Sequence, residues 1–257
     1  MLLSICLPTF NRLPYLKELL AALLPQVKSL PHGDVEVLVS DNKSTDGTAD
    51  FCVTLDYSSF RFWSNTENIG GDRNFLKCIR EARGEYVWLI GDDDILPDRA
   101  VERVVQFLKT YNPALLISAD INGVDGLIYE NYRTALTALP EDFAIRHTLI
   151  SANVFKRECF DMPFATSKLW TQYAHMFGVI EGMRDERIGV ISRIVEVRPV
   201  RPDFAEFPSC LCVKQAVYLW YLARKLGLKR FYWKAFLNAC NLPIEYASRL
   251  IRWLMRL

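Results

Sequence analysis

Over about the first 120 residues, short apolar blocks alternate with segments whose apolar positions recur at helical spacing. Leu2 to Leu7 is a continuous apolar run stopped by Pro8 and reads as a buried strand. Asn11 can cap a helix starting near Leu13, with Pro14 in its first turn. On that helix Leu16, Leu19, Leu20, Leu23 and Leu24 share one face. Val35 to Ser40 reads as a second strand, Thr48 to Val53 as a short helix and Phe60 to Ser64 as a third strand. A helix from about Asp72 to Ala82 is ended by Gly84, and Glu85 to Ile90 is a fourth strand. Pro97 opens a helix with Val101, Val104, Val105 and Leu108 on one side, and Ala114 to Ser118 is a fifth strand.

The pattern is weaker further on. Residues 121–140 read as irregular or hairpin-like, Leu149 to Lys156 as a strand entering a loop, Lys168 to Met183 as a helix and Gly189 to Val197 as a strand. From Lys214 two or three helices are expected, broken near Gly227 and at Pro243. No repeat recurs at solenoid periods. Alternating strands and helices with short links predict an α/β fold, a mostly parallel central sheet flanked by helices. Such sheets bind ligands at the carboxyl ends of their strands, and Asp41 and the cluster Asp92, Asp93 and Asp94 both fall at those ends.

Charge divides the chain further. The 31 Lys+Arg and 30 Asp+Glu nearly cancel, which excludes a uniformly basic nucleic-acid coat. Yet residues 214–257 hold nine bases and one acid (Glu245), leaving 22 bases and 29 acids before them. The expected organisation is therefore a main domain over 1–213 and a basic, aromatic-rich helical tail over 214–257. The seven cysteines are odd in number and form no CxxC pair, which fits free thiols in a reducing compartment. The apolar start lacks a basic leader segment and a small-residue cleavage site, and Pro8 interrupts it early. No window reaches the roughly 18 uninterrupted apolar residues of a membrane span, so a cytoplasmic, soluble or surface-bound protein is expected.

The sharpest chemical signal is Gly91-Asp92-Asp93-Asp94 after the fourth strand. Adjacent carboxylates repel one another, and a hard divalent ion such as Mg²⁺ or Mn²⁺, shared with substrate phosphates, removes the conflict. The plainer reading is an acidic turn at the start of the Pro97 helix. Pro8-Thr9-Phe10-Asn11-Arg12 and Asp41-Asn42-Lys43-Ser44-Thr45-Asp46-Gly47 form polar loops after the first two strands, where Asp41 can accept from a base or ribose and Asp46-Gly47 alone accounts for a turn. In Asn68-Ile69-Gly70-Gly71-Asp72-Arg73-Asn74 the glycines allow close backbone approach, and Arg73 can meet a phosphate. Neither GxGxxG nor a P-loop is present.

In their order and spacing, PTFNR, SDNKSTDGT, NIGGDRN and GDDDILPD resemble the family 2 glycosyltransferases of GT-A fold, over roughly residues 2–110. The resemblance implies a nucleotide-sugar donor, with Asp41 contacting the base, Pro8, Thr9 and Arg12 in the nucleotide pocket, and Asp72 and Arg73 in its wall. It assigns Asp92, Asp93 and Asp94 to Mn²⁺ or Mg²⁺ and the ribose-diphosphate, with Gly91 standing where many relatives carry the first acid. The rest of the chain is similar to bacterial surface-polysaccharide transferases of abequosyltransferase-like type. This implies a glycan or lipid-linked acceptor, inversion, and a peripheral position at the inner face of the cell membrane.

Many inverting relatives place a catalytic Asp at the start of the helix near Trp170, whereas this chain reads Lys168-Leu169-Trp170-Thr171-Gln172. On local chemistry His175 is the substitute base, with Asp161 and Glu181 as rivals; the plainer reading of His175 is a packed core histidine. Trp170 and Tyr173 can stack on a sugar or simply pack. The tail interleaves Tyr218, Trp220, Tyr221, Phe231, Tyr232, Trp233 and Trp253 with its bases, as an anionic membrane surface requires; a helical subdomain packed on the core is the alternative. No nucleic-acid motif accompanies it. The rival functions are a nucleotidyltransferase, which usually has a basic glycine-rich first loop, and a non-catalytic sugar-nucleotide-binding, membrane-associated protein.

Overall fold

The structure is a computed structural model that describes residues 1–119, 126–139, 149–169, 171–196, 221 and 226. Trp170, Cys210, Cys212, Cys240 and all of the 214–257 tail but residues 221 and 226 lie outside the described residues. So does the boundary expected at 213.

The first half follows the periodicity. Strands β1 (Leu3–Thr9), β2 (Val35–Asp41), β3 (Phe60–Ser64) and β4 (Tyr86–Leu89) alternate with helices α1 (Leu13–Lys28), α2 (Thr48–Val53) and α3 (Gly71–Glu81). Helix α4 (Ala100–Tyr111) leads into β5 (Leu115–Ser118). Every residue of β1, β2, β4 and β5 is buried, the signature of strands covered on both faces. The leucine stripe of α1 is enclosed as expected, each leucine contributing about 2 kcal/mol of transfer free energy as an upper figure.

The remaining described elements are β6 (Leu127–Tyr129), α5 (Tyr132–Ala138), β7 (Asn153–Lys156), α6 (Met162–Thr166), α7 (Ala174–Met183) and β8 (Ile188–Ile191). They form one eight-stranded sheet of order β3-β2-β1-β4-β7-β5-β8-β6. β1 pairs parallel with both β2 and β4, and β2 with β3. β7 then enters antiparallel between β4 and β5, and β6 closes the far edge antiparallel to β8. The sheet is parallel in its first half and mixed beyond.

Three local expectations change. The segment 168–183 is not one helix: a turn at 167–169 follows α6, Gln172 takes a left-handed φ of 62°, and α7 begins only at Ala174. The expected strand Gly189–Val197 stops at Ile191, with a lone bridge between Ile95 and Glu196 beyond it. Within the stretch read as irregular, α5 is a capped helix: Asn131 accepts from Thr134 N while Thr134 accepts from Asn131 N.

Candidate active site

The carboxyl ends of β1, β2 and β4 lie side by side, so the loops that follow them share one rim. The β1 loop is built against the β2 loop. Asn11, at φ 52°, does not cap α1; its N–H donates to Ser44 Oγ (2.8 Å) and its Oδ1 accepts from Thr45 N (2.8 Å). The first N–H of α1, on Leu13, instead donates to Asp46 Oδ2 (2.8 Å). Asp41 is fully buried, and its carboxylate accepts from Ser44 N (3.0 Å) and Ser64 Oγ (2.7 Å), tying β2 to β3.

Beneath these loops lies an amide network that the sequence reading did not single out. Asn65 Nδ2 donates to Asn42 Oδ1 (3.1 Å) and Asn74 Oδ1 (3.0 Å), Asn42 Nδ2 donates to Asn68 Oδ1 (2.7 Å), and Asn74 Nδ2 donates to the Ser40 carbonyl (2.9 Å). Asn42, Asn65 and Asn74 are each at most 5% exposed. Satisfied buried amides of this kind fix loop positions because every alternative leaves a polar group unpaired. The density of asparagine in NTENIGGDRN was the available signal.

The acidic cluster meets the β1 loop. Thr9 Oγ1 donates to Asp92 Oδ2 (2.7 Å), and Arg12 Nη1 donates to Asp92 Oδ1 (3.1 Å) and stands 3.7 Å from Asp93 Oδ1. Asp94 turns the other way: its Oδ2 accepts from Gly91 N (2.9 Å) and from the Ser151 hydroxyl. Burial, with a smaller contribution from the charge of Asp92, pushes the Asp94 carboxyl up to about 6. A Cβ at Gly91 would fall 2.8 Å from Asp94 Oδ2, so a side chain there would displace the carboxylate. Thus Thr9 and Arg12 meet Asp92 and Asp93 although the two motifs lie 80 residues apart, while Asp94 is held by Gly91 and Ser151.

This donor set fits a hard divalent ion. Its oxygens are crowded, and at Asp94 desolvation opposes the charged form; a nearby cation relieves both conditions. Among the described residues no group of three or more His, Cys, Asp or Glu could by itself hold an ion. Mg²⁺ and Mn²⁺ sites commonly take only one or two carboxylates from the protein when phosphates complete the sphere.

The other expected residues are placed differently. Asp72, in the first turn of α3, accepts the Gln172 N–H (2.9 Å), joining α3 to the start of α7; Arg73 beside it is exposed. His175 is 5% exposed and packed edge-on against Phe75 and near-parallel to Tyr173. Neither ring nitrogen has a hydrogen-bond partner among the described residues, and burial lowers its basicity to about 3. Such an imidazole is neutral at pH 7 and a poor proton acceptor, so the expectation of His175 as base gives way to its reading as a core residue. Asp161 caps α6 through Phe164 N (2.9 Å). Glu181 pairs with Arg184 (3.0 Å) and accepts from the Tyr221 hydroxyl. Both rivals are thus engaged in holding α6 and α7. Tyr221, counted from sequence with the membrane-facing aromatics, packs instead on Phe164 and Phe177.

The model of glycosyl transferase family 2 matches residues 4–168, well over half of the chain. The chain belongs to glycosyl transferase family 2. Among curated proteins it is similar to the abequosyltransferase RfbV of Salmonella typhimurium, 30% identical over 201 residues that cover 69% of this chain and 60% of that protein. The chain thus spans about three-fifths of that relative's length. Among solved structures, S. aureus TarS 1-349 in complex with UDP-GlcNAc superposes with a TM-score of 0.63 at 16% identity, covering 85% of this chain and 66% of that one. The mannosyltransferase PcManGT of Pyrobaculum calidifontis, in complex with GDP-Man and Mn²⁺, gives 0.60 at 18% identity, covering 93% and 72%. At these identities the structural likeness establishes the fold, that of GT-A glycosyltransferases.

Proposed function

We propose that the chain transfers a sugar from a nucleotide-sugar donor to a hydroxyl of a lipid-linked or growing cell-surface glycan, with inversion and with Mn²⁺ or Mg²⁺ as cofactor. One observation carries this reading: Thr9 and Arg12 from the β1 loop meet Asp92 and Asp93 from the β4 loop at the rim where parallel strands end. The names of the abequosyltransferase relative and of the sugar-nucleotide complexes support it.

Asp92, Asp93 and Asp94 would hold the ion, which when bound neutralises the donor diphosphate and improves it as a leaving group. Thr9 orients Asp92, while Ser151 and Gly91 orient Asp94. Such support keeps the oxygens in place without reorganisation during reaction. The Asn42–Asn65–Asn74 network holds the β2 and β3 loops that flank the donor. Among the described residues no helix is long and apolar enough to cross a membrane. We place the protein at the inner membrane face through the basic tail, where the lipid-linked acceptor is held.

The test is sugar transfer or donor hydrolysis across a panel of nucleotide sugars with Mn²⁺ or Mg²⁺. Chelation with EDTA, or Asp93→Asn with Asp94→Asn, is expected to lower turnover at least about 100-fold. Full activity under either condition overturns the mechanism.

A further inference from the structure

We propose that Arg12 is a built-in counterion that competes with the divalent ion for Asp92 and Asp93, so that the rim takes up the ion together with the nucleoside diphosphate that Arg12 then engages. The inference rests on the donor-site reading above and adds an order to it.

One nitrogen, Arg12 Nη1, spans both carboxylates, at 3.1 Å from Asp92 Oδ1 and 3.7 Å from Asp93 Oδ1. Both carboxylates thus already have a cationic partner. The other Asp92 oxygen is held by Thr9, so that carboxylate cannot turn to offer a second face without breaking a buried hydrogen bond. The partners also differ in freedom. The Arg12 side chain is 29% exposed, against 5% for Asp92 and 15% for Asp93. The backbone before it is pinned through Asn11 to Ser44 and Thr45, so movement falls to the arginine side chain alone.

A guanidinium and a divalent cation repel, and they cannot share one oxygen face. Loading the rim therefore drives Arg12 outward, where it needs an anion. A diphosphate bound to the same ion supplies one within reach of the loop, and its fork of donors suits phosphate. Ion and nucleotide then favour each other, and the coupling is reciprocal. Without Arg12 the three carboxylates would attract any cation. With it, the ion alone binds weakly and ion plus nucleotide binds well.

The experiment measures Mn²⁺ binding by calorimetry and by the free-ion EPR signal, on the full chain. Mn²⁺ is titrated alone and with saturating UDP, GDP or CDP. Arg12→Met is expected to bind Mn²⁺ alone about three- to tenfold more tightly than wild type, and to lose a similar factor of the tightening conferred by nucleotide. Arg12→Lys, which keeps the charge, is expected to stay near wild type. Unchanged or weaker Mn²⁺ binding in a folded Arg12→Met protein overturns the inference while leaving the donor site standing. If that variant does not fold, the ¹⁵N signal of the Arg12 guanidinium in wild type decides: it shifts on saturation with Mg²⁺, and an unmoved signal overturns the proposal. A wild-type protein that binds no Mn²⁺ even with every nucleoside diphosphate overturns the donor site itself, and the inference with it.

Discussion

At Asp94 burial works against the carboxylate, and at His175 it works against the imidazolium. The first group accepts from Gly91 N and the Ser151 hydroxyl; the second lies between aromatic rings. For His175 the folded value, about 3, lies below that of an unfolded histidine, near 6.5. Between those values the unfolded chain binds the extra proton. The contribution of neutral His175 to stability is therefore complete above about pH 6.5 and is lost as pH falls through that window, at up to about 1.4 kcal/mol per unit. His175→Leu is expected to flatten the acid limb of urea-unfolding stability between pH 5 and 7. At pH 8 it should be at least as stable as wild type, because it removes two nitrogens that have no partner among the described residues. Transferase turnover is expected to persist; a loss beyond about 100-fold in the folded variant would restore His175 as the proton acceptor.

Helix α7 is placed by two glycines. A Cβ at Gly182 would lie 1.7 Å from the Cys159 carbonyl oxygen, and one at Gly178 would lie 2.4 Å from the Phe160 ring. The first obstacle is backbone and cannot move aside, so Gly182→Ala should cost about 3 kcal/mol or more in chemical denaturation. Gly178→Ala meets a ring that can turn and should cost less. Since α7 begins where Asp72 receives the Gln172 N–H, a displaced α7 should also weaken donor binding. The start of α7 was not legible from periodicity. The apolar spacing of 168–183 continues across Thr171 and Gln172, where Gln172 takes a left-handed φ, the Tyr173 N–H donates to Thr171 Oγ1, and the Gln172 N–H donates to Asp72, 100 residues away. By contrast, α5, in the stretch read as irregular, carries a local signal in the capping box of Asn131 and Thr134. Strands β1, β2, β4 and β5 were legible because burial on both faces leaves mainly apolar runs, whereas β3 is partly exposed and shows only as a short aromatic block.

At the scale of the whole molecule, Tyr221 and Leu226 tie the beginning of the tail to the core. A deletion that tests membrane contact should therefore spare them. Removing residues 229–257 takes away Lys229, Arg230, Lys234, Arg249, Arg252 and Arg256, each worth about 1 kcal/mol near an anionic surface. The truncated protein is expected to stop floating with anionic vesicles while keeping its melting temperature. Unchanged flotation would remove the tail as the membrane contact.

The sequence by itself determined the alternation of strand and helix, the carboxyl-end position of the four loop motifs and the family they announce. These depend on local periodicity and on residues adjacent in the chain. Tertiary structure alone decided that β7 runs antiparallel between β4 and β5. It also decided that His175 is enclosed rather than poised, and that Arg12 bridges Asp92 and Asp93. A strand's neighbours, a side chain's burial and an ion pair's partner depend on segments far apart in the chain coming together, which no local pattern of apolar and polar residues records.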